Sequence, residues 1–170
     1  SVNAAASSLT AASQQTIVCG SISKTVIHGR GAMQAASPVS ISDASPTFTD
    51  VTIDNANNGV DHITVTGTTA SPKFDHVDLS QCHCALHFNS GASISVTNSY
   101  IHNNAYALMV YGSKNNVWTG NNLVQNAVNI GACGGGASLV ATGNFFGGGM
   151  AFDSSCATQT NSSPSASMVP

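Results

Sequence analysis

Residues 93–101 read SISVTNSYI and residues 115–123 read NNVWTGNNL. Laid one over the other, they set Val96 against Trp118, Thr97 against Thr119 and Ile101 against Leu123. Three more segments join the alignment: 45–53 (SPTFTDVTI), 71–79 (SPKFDHVDL) and 137–145 (ASLVATGNF). Their closing apolar residues, Ile53, Leu79, Ile101, Leu123 and Phe145, follow one another at offsets of 26, 22, 22 and 22, with Ile27 a further 26 upstream. A second column stands seven residues on, at Val60, Leu86, Leu108, Ile130 and Phe152, and its members open short alternating runs such as LHF, LMV and IGA.

A unit of this length holding several short β-segments cannot bury its apolar side alone, so successive units must stack and pair their strands in parallel. The connections between the two columns are rich in Asn (residues 54–59, 102–104 and 125–126). Asn suits such turns because it tolerates the left-handed region and bonds nearby backbone. A leucine-rich repeat has a similar period, but its Leu/Asn signature is missing and the units favour Val, Ile, Thr and Phe. The expected fold is all-β, a single-stranded parallel β-helix (solenoid) of about five to six coils. It is expected over residues 16–156. Residues 1–15 (SVNAAASSLTAASQQ) are open between a short capping helix and a disordered leader, and residues 157–170 read as a flexible tail or linker.

On these five segments the chain resembles the right-handed parallel β-helix superfamily, which includes pectate-lyase-like proteins and NosD-type repeats. The resemblance spans about residues 16–156. It implies a right-handed winding and a polysaccharide or cell-surface glycan as partner, held in a groove on one outer sheet, in a secreted or periplasmic protein. For pectate lyases it also implies an acidic calcium cluster with basic catalytic residues. Here the chain departs from the pattern. Arg30 is the sole arginine and lies in an early coil, Glu is absent, and no tight trio of the seven acids, all Asp, falls on one expected face.

Composition narrows the partners further. Only 6% of the residues are charged and the formal net charge is −3, with Lys24, Arg30, Lys73 and Lys114 as the fixed cations. Such a chain offers no basic field to a phosphate backbone, so nucleic acid is not expected. No apolar run approaches the roughly 18 residues of a membrane helix.

Strand alternation after Val60 and its equivalents places Asp61, His87, Met109, Gly131 and Asp153 outward, then Ile63, Asn89, Tyr111, Cys133 and Ser155. Asp61, His87 and Tyr111 are the candidate catalytic set: a carboxylate, an imidazole and a phenol can bind a sugar chain or move a proton in elimination or hydrolysis. Asn89, Lys114, Asp75 and His76 are the candidate substrate-binding residues. Glycoside hydrolysis would want two carboxylates about 5–10 Å apart, which only Asp50, Asp75 or Asp78 offer. Isolated polar residues on a solvated sheet are the ordinary alternative.

The string Cys82-His83-Cys84-Ala85-Leu86-His87 mixes thiols with imidazoles, a zinc or copper set in principle, with Cys82, Cys84 and His87 as ligands. Alternation would send both sulfurs to one side and His83 to the other, and the spacing matches no standard zinc motif. Zinc and copper are thus the metals this string suggests, and calcium is the one the pectate-lyase resemblance implies. Cys133 and Cys156, one coil and one residue apart, are the expected disulfide. The column Thr49, Asp75, Thr97, Thr119, Ala141 is a partial threonine ladder, as exposed strands favour. Three functions remain open: a carbohydrate-binding or polysaccharide-modifying β-helix, a non-enzymatic adhesion solenoid, and an extracellular metal-binding module.

Overall fold

A computed structural model describes residues 5–10, 15–17, 21–31, 36–56, 59–89, 93–112, 115–135, 137, 139–152, 160–163 and 167–168. These residues form an all-β parallel solenoid of about five turns, with no helix among them. Two sheets run along it, one of 12 strands and one of seven. Within the larger sheet each central coil contributes two short strands, as in Ser95–Thr97 and Tyr100–His102, and the next strand, here Tyr106–Tyr111, enters the smaller sheet. Every recorded strand pair is parallel. Among the described residues no helix is long and apolar enough to cross a membrane.

Corners between strands are made by single residues in the left-handed region. Lys24, Asp50, His76, Asn98, Gly120 and Gly143 stack as one corner, and Asn55, Gln81, Asn103, Gln125 and Gly148 as another. Each corner turns the chain without breaking register, so apolar residues stay over apolar residues. The column Ile27, Ile53, Leu79, Ile101, Leu123 is one interior stack, in register and at most 3% exposed. Phe48 and Phe74 stack at 4.8 Å beside it, with Val96 and Trp118 next in their row.

Side chains at the corners satisfy the backbone between coils. The Oδ1 of Asn121 accepts from the Ser99 amide at 2.9 Å, and its Nδ2 donates to the Val96 carbonyl at 3.0 Å. Asn144 does the same for Asn121 and Trp118 one coil later. Asn104 and Asn126 repeat the device at the next corner. Without such bonds the buried turns would hold orphaned donors and acceptors.

The structure corrects the expected register in two places. Leu86 pairs with Ile63, not Val60. The chain takes ten residues from Ile53 to Ile63 but seven from Leu79 to Leu86, so the register shifts by three and Ile63, expected outward, is fully buried. The second slip comes from a β-bulge. Met109 pairs with Gly131 but Tyr111 with Gly134, so two residues oppose one. In the larger sheet the next two strands move by one: Phe146, not Phe145, continues the interior stack below Leu123, and Thr142, not Ala141, continues the threonine column, while Phe152 still pairs with Ile130 as expected.

At the ends, Ala5–Thr10 is a strand paired with Ser21–Gly31, where a capping helix had been one expectation. Thr160–Ser163, in the expected tail, is a strand paired with Leu139–Thr142. Cys19, Lys114 and Cys156 lie outside the described residues, as does the side chain of Cys133, and with them the expected disulfide.

Candidate functional site

The outer face of the seven-stranded sheet gathers the most chemistry. Strand Cys84–Asn89 alternates Leu86 and Phe88 inward with His87 and Asn89 outward, as period two requires. Its neighbour Tyr106–Tyr111 sets Met109 beside His87 and Tyr111 beside Asn89. Thr64 flanks His87 on the other side. Asp61, in the turn before Ile63–Thr66, reaches two imidazoles at once: Oδ1 lies 2.9 Å from Nδ1 of His83 and Oδ2 lies 2.6 Å from Nδ1 of His87.

Asp61 is mostly sheltered, with 15% of its side chain exposed. Burial by itself would raise its carboxyl, but the hydrogen bonds from His87 and His83 outweigh that and hold it below the ordinary value. Two aromatic rings flank the imidazoles. Tyr106 meets His83 edge-on at 5.5 Å between ring centroids, and Tyr111 is tilted against His87 at 5.7 Å. Tyr111 is 39% exposed, a large ring left facing solvent. Nε2 of His87, by contrast, is buried and has no hydrogen-bond partner.

The expected trio of Asp61, His87 and Tyr111 is therefore brought together, with Asn89 alongside. Asp75 and His76 are not brought to it: they belong to strand Lys73–Asp75 and its corner, in the larger sheet. There Asp75 accepts from Thr97 at 2.7 Å and Asn98 at 2.9 Å, bonds that hold its carboxyl below the usual range.

The cysteine and histidine string divides. Cys82 donates its thiol to Oδ1 of Asn104 and Cys84 to the carbonyl of Leu86, both at 3.1 Å and both buried, while His83 and His87 face outward. Burial pushes both thiols well up, and the thiolate is the form a metal takes. The residues do not fit zinc or copper held by Cys82, Cys84 and His87. Among the described residues no group of three or more His, Cys, Asp or Glu is placed to hold a metal ion.

His83 and Tyr106 are the members of the cluster that the outward columns left out. One signal was present: His83 and His87 are four apart, hence on the same side of an extended segment. What the column hid was that Asp61 sits in a turn, where a carboxylate spans both rings instead of facing one. Chemically, a carboxylate that fixes the Nδ1–H of an imidazole leaves Nε2 as an acceptor or base. Comparison of the chain with protein families, with curated proteins and with solved structures found no match in any of the three.

Proposed function

We propose that this protein is a carbohydrate-binding β-solenoid of the pectate-lyase-like kind, exported from the cell, which holds a glycan on the outer face of its seven-stranded sheet. Asp61, His83, His87, Asn89, Tyr106 and Tyr111 are the contact residues. The observation that carries the reading is the Asp61 carboxylate fixing His83 and His87 between two tyrosine rings, with Nε2 of His87 unsatisfied. Aromatic rings beside fixed polar groups suit a sugar, which has an apolar C–H face and a rim of hydroxyls.

Binding is favoured over cleavage. Asp61 is the one acid in this cluster among the described residues, and glycoside hydrolysis uses a pair. Retention on a panel of insoluble and immobilised polysaccharides tests the reading: at least one polymer should retain the protein, and Tyr111→Ala should release it. Failure to bind any polymer, or equal retention of the variant, would overturn it.

A non-enzymatic adhesion role has one observation of its own. On the larger sheet Val117 and Val140, 40% and 41% exposed, sit side by side, next to the column Thr49, Asp75, Thr97, Thr119, Thr142. Val117→Lys with Val140→Lys would abolish surface attachment if that face is the adhesive one, and leave glycan retention unchanged.

A further inference from the structure

We infer that the ligand of the Asp61 site is a neutral sugar, recognised by a hydroxyl that donates to Nε2 of His87 while the sugar ring packs on Tyr111. The inference rests on the glycan-binding reading above and narrows it to a substrate class.

The hydrogen-bond inventory of His87 sets the polarity. Its Nδ1 faces a carboxylate oxygen at 2.6 Å, and an ionised carboxylate only accepts, so the proton of the neutral ring sits on Nδ1. In that neutral ring Nε2 is a lone pair. It is buried and unpaired, and a buried acceptor without a donor is costly to leave so. The missing partner is therefore a donor, and a hydroxyl supplies one.

Charge selects among hydroxylated ligands. Among the described residues of this face the one fixed charge is the negative Asp61, and no Lys or Arg stands there. A uronic acid would bring a second carboxylate next to the first. A neutral sugar brings none.

The place of the ring follows from the bulge. It puts a glycine, Gly134, opposite Tyr111, and the tyrosine ring lies across that glycine's backbone. A Cβ at position 134 would stand 3.0 Å from Cδ1 and 3.4 Å from Cε1 of Tyr111. The bare backbone thus leaves room for the Tyr111 ring, which lies tilted against His87 and is 39% exposed. Nε2 is enclosed in the free protein, so the hydroxyl reaches it only as neighbouring side chains move.

Calorimetric titration with neutral oligosaccharides (gluco-, manno- and xylo-oligomers) and, separately, with oligogalacturonates tests this. Neutral oligomers should bind and the acidic ones should not. His87→Asn keeps a donor near Asp61 but removes the Nε2 position, and should weaken binding by about ten-fold or more. His87→Gln, which restores a polar group near that position, should recover part of the loss. Gly134→Ala should weaken binding by displacing Tyr111. In ¹⁵N spectra of the wild type, the Nε2 resonance of His87 should move on saturation with the neutral sugar.

Preference for oligogalacturonates, full affinity in His87→Asn, or an unmoved Nε2 resonance would each overturn the neutral-sugar inference while leaving glycan binding standing. Absence of binding to every oligomer and polymer would remove the underlying reading as well.

Discussion

The buried imidazole of His62 shows how one residue ties this solenoid to pH. Its ring is fully enclosed, with Nε2 2.6 Å from the carbonyl oxygen of Ser80 and Nδ1 unpartnered. Burial, opposed in part by that carbonyl and by the charges of Asp54 and Asp61, pulls its pKa from 6.5 to about 4. The sign follows directly. Below pH 6.5 the unfolded chain takes up a proton that the folded chain refuses until about pH 4, so stability is intact above 6.5 and drains away across that interval. The contribution is about 3 kcal/mol. In His62→Leu it disappears, and the buried hydrogen bond to the Ser80 carbonyl is lost at every pH at a cost of about 1–3 kcal/mol. Urea unfolding at pH 7 and pH 4.5 should therefore show the variant weaker than wild type at pH 7 and the gap closing, or reversing, at pH 4.5. A gap independent of pH would mean that His62 is not the group responsible. Nothing in the sequence marked His62 as interior. It lies in the segment between Ile53 and Ile63 whose length displaced the register, and strand alternation alone does not reveal that.

The elements were more legible than their partners. Strand and corner follow from the alternation of apolar residues and from Asn, Asp and Gly at the turns, and a single spacing of 22 carries most of the stack. The spacing fails where coils differ in length. Three extra residues between Ile53 and Ile63 bury Ile63, and one extra residue in Val128–Gly134 moves Phe145 outward and Phe146 inward. In both places either register keeps some apolar residue in the column, so pattern alone cannot choose. The corner residues give two predictions. Gln125 is exposed and held at φ 57°, while its counterpart one coil on is Gly148. The left-handed conformation costs a non-glycine residue about 1–2 kcal/mol, so Gln125→Gly should stabilise the protein by up to about 1 kcal/mol after the entropy of the added glycine is taken off. Thermal unfolding will read this as a rise in midpoint, and a fall would mean that the corner is not strained. Asn121→Leu acts the other way. It strips partners from the amide of Ser99 and the carbonyl of Val96, both within buried residues, and should cost about 2–5 kcal/mol.

At the scale of the whole molecule each coil touches only its neighbours, and stability should be distributed accordingly. Ile101 sits midway in its stack, paired with Leu79 on one side and Leu123 on the other, and is fully buried. Phe152 belongs to Met150–Phe152, the edge strand of the seven-stranded sheet, and is half-buried against Phe146 at 5.5 Å between ring centroids. Truncating the first removes contacts from two interfaces, and truncating the second from one. Ile101→Ala should therefore cost about 2–5 kcal/mol, as large cavities in cores do, and lower amide protection throughout residues 74–130. Phe152→Ala should free the amides of residues 145–152 from protection and leave residues 74–88 close to wild type, because an end coil can open without parting the coils beneath it. Hydrogen exchange followed by mass spectrometry separates the two outcomes. Uniform loss of protection in Phe152→Ala would show that the solenoid unfolds as one cooperative body, and the nearest-neighbour account of its stability would then have to be given up.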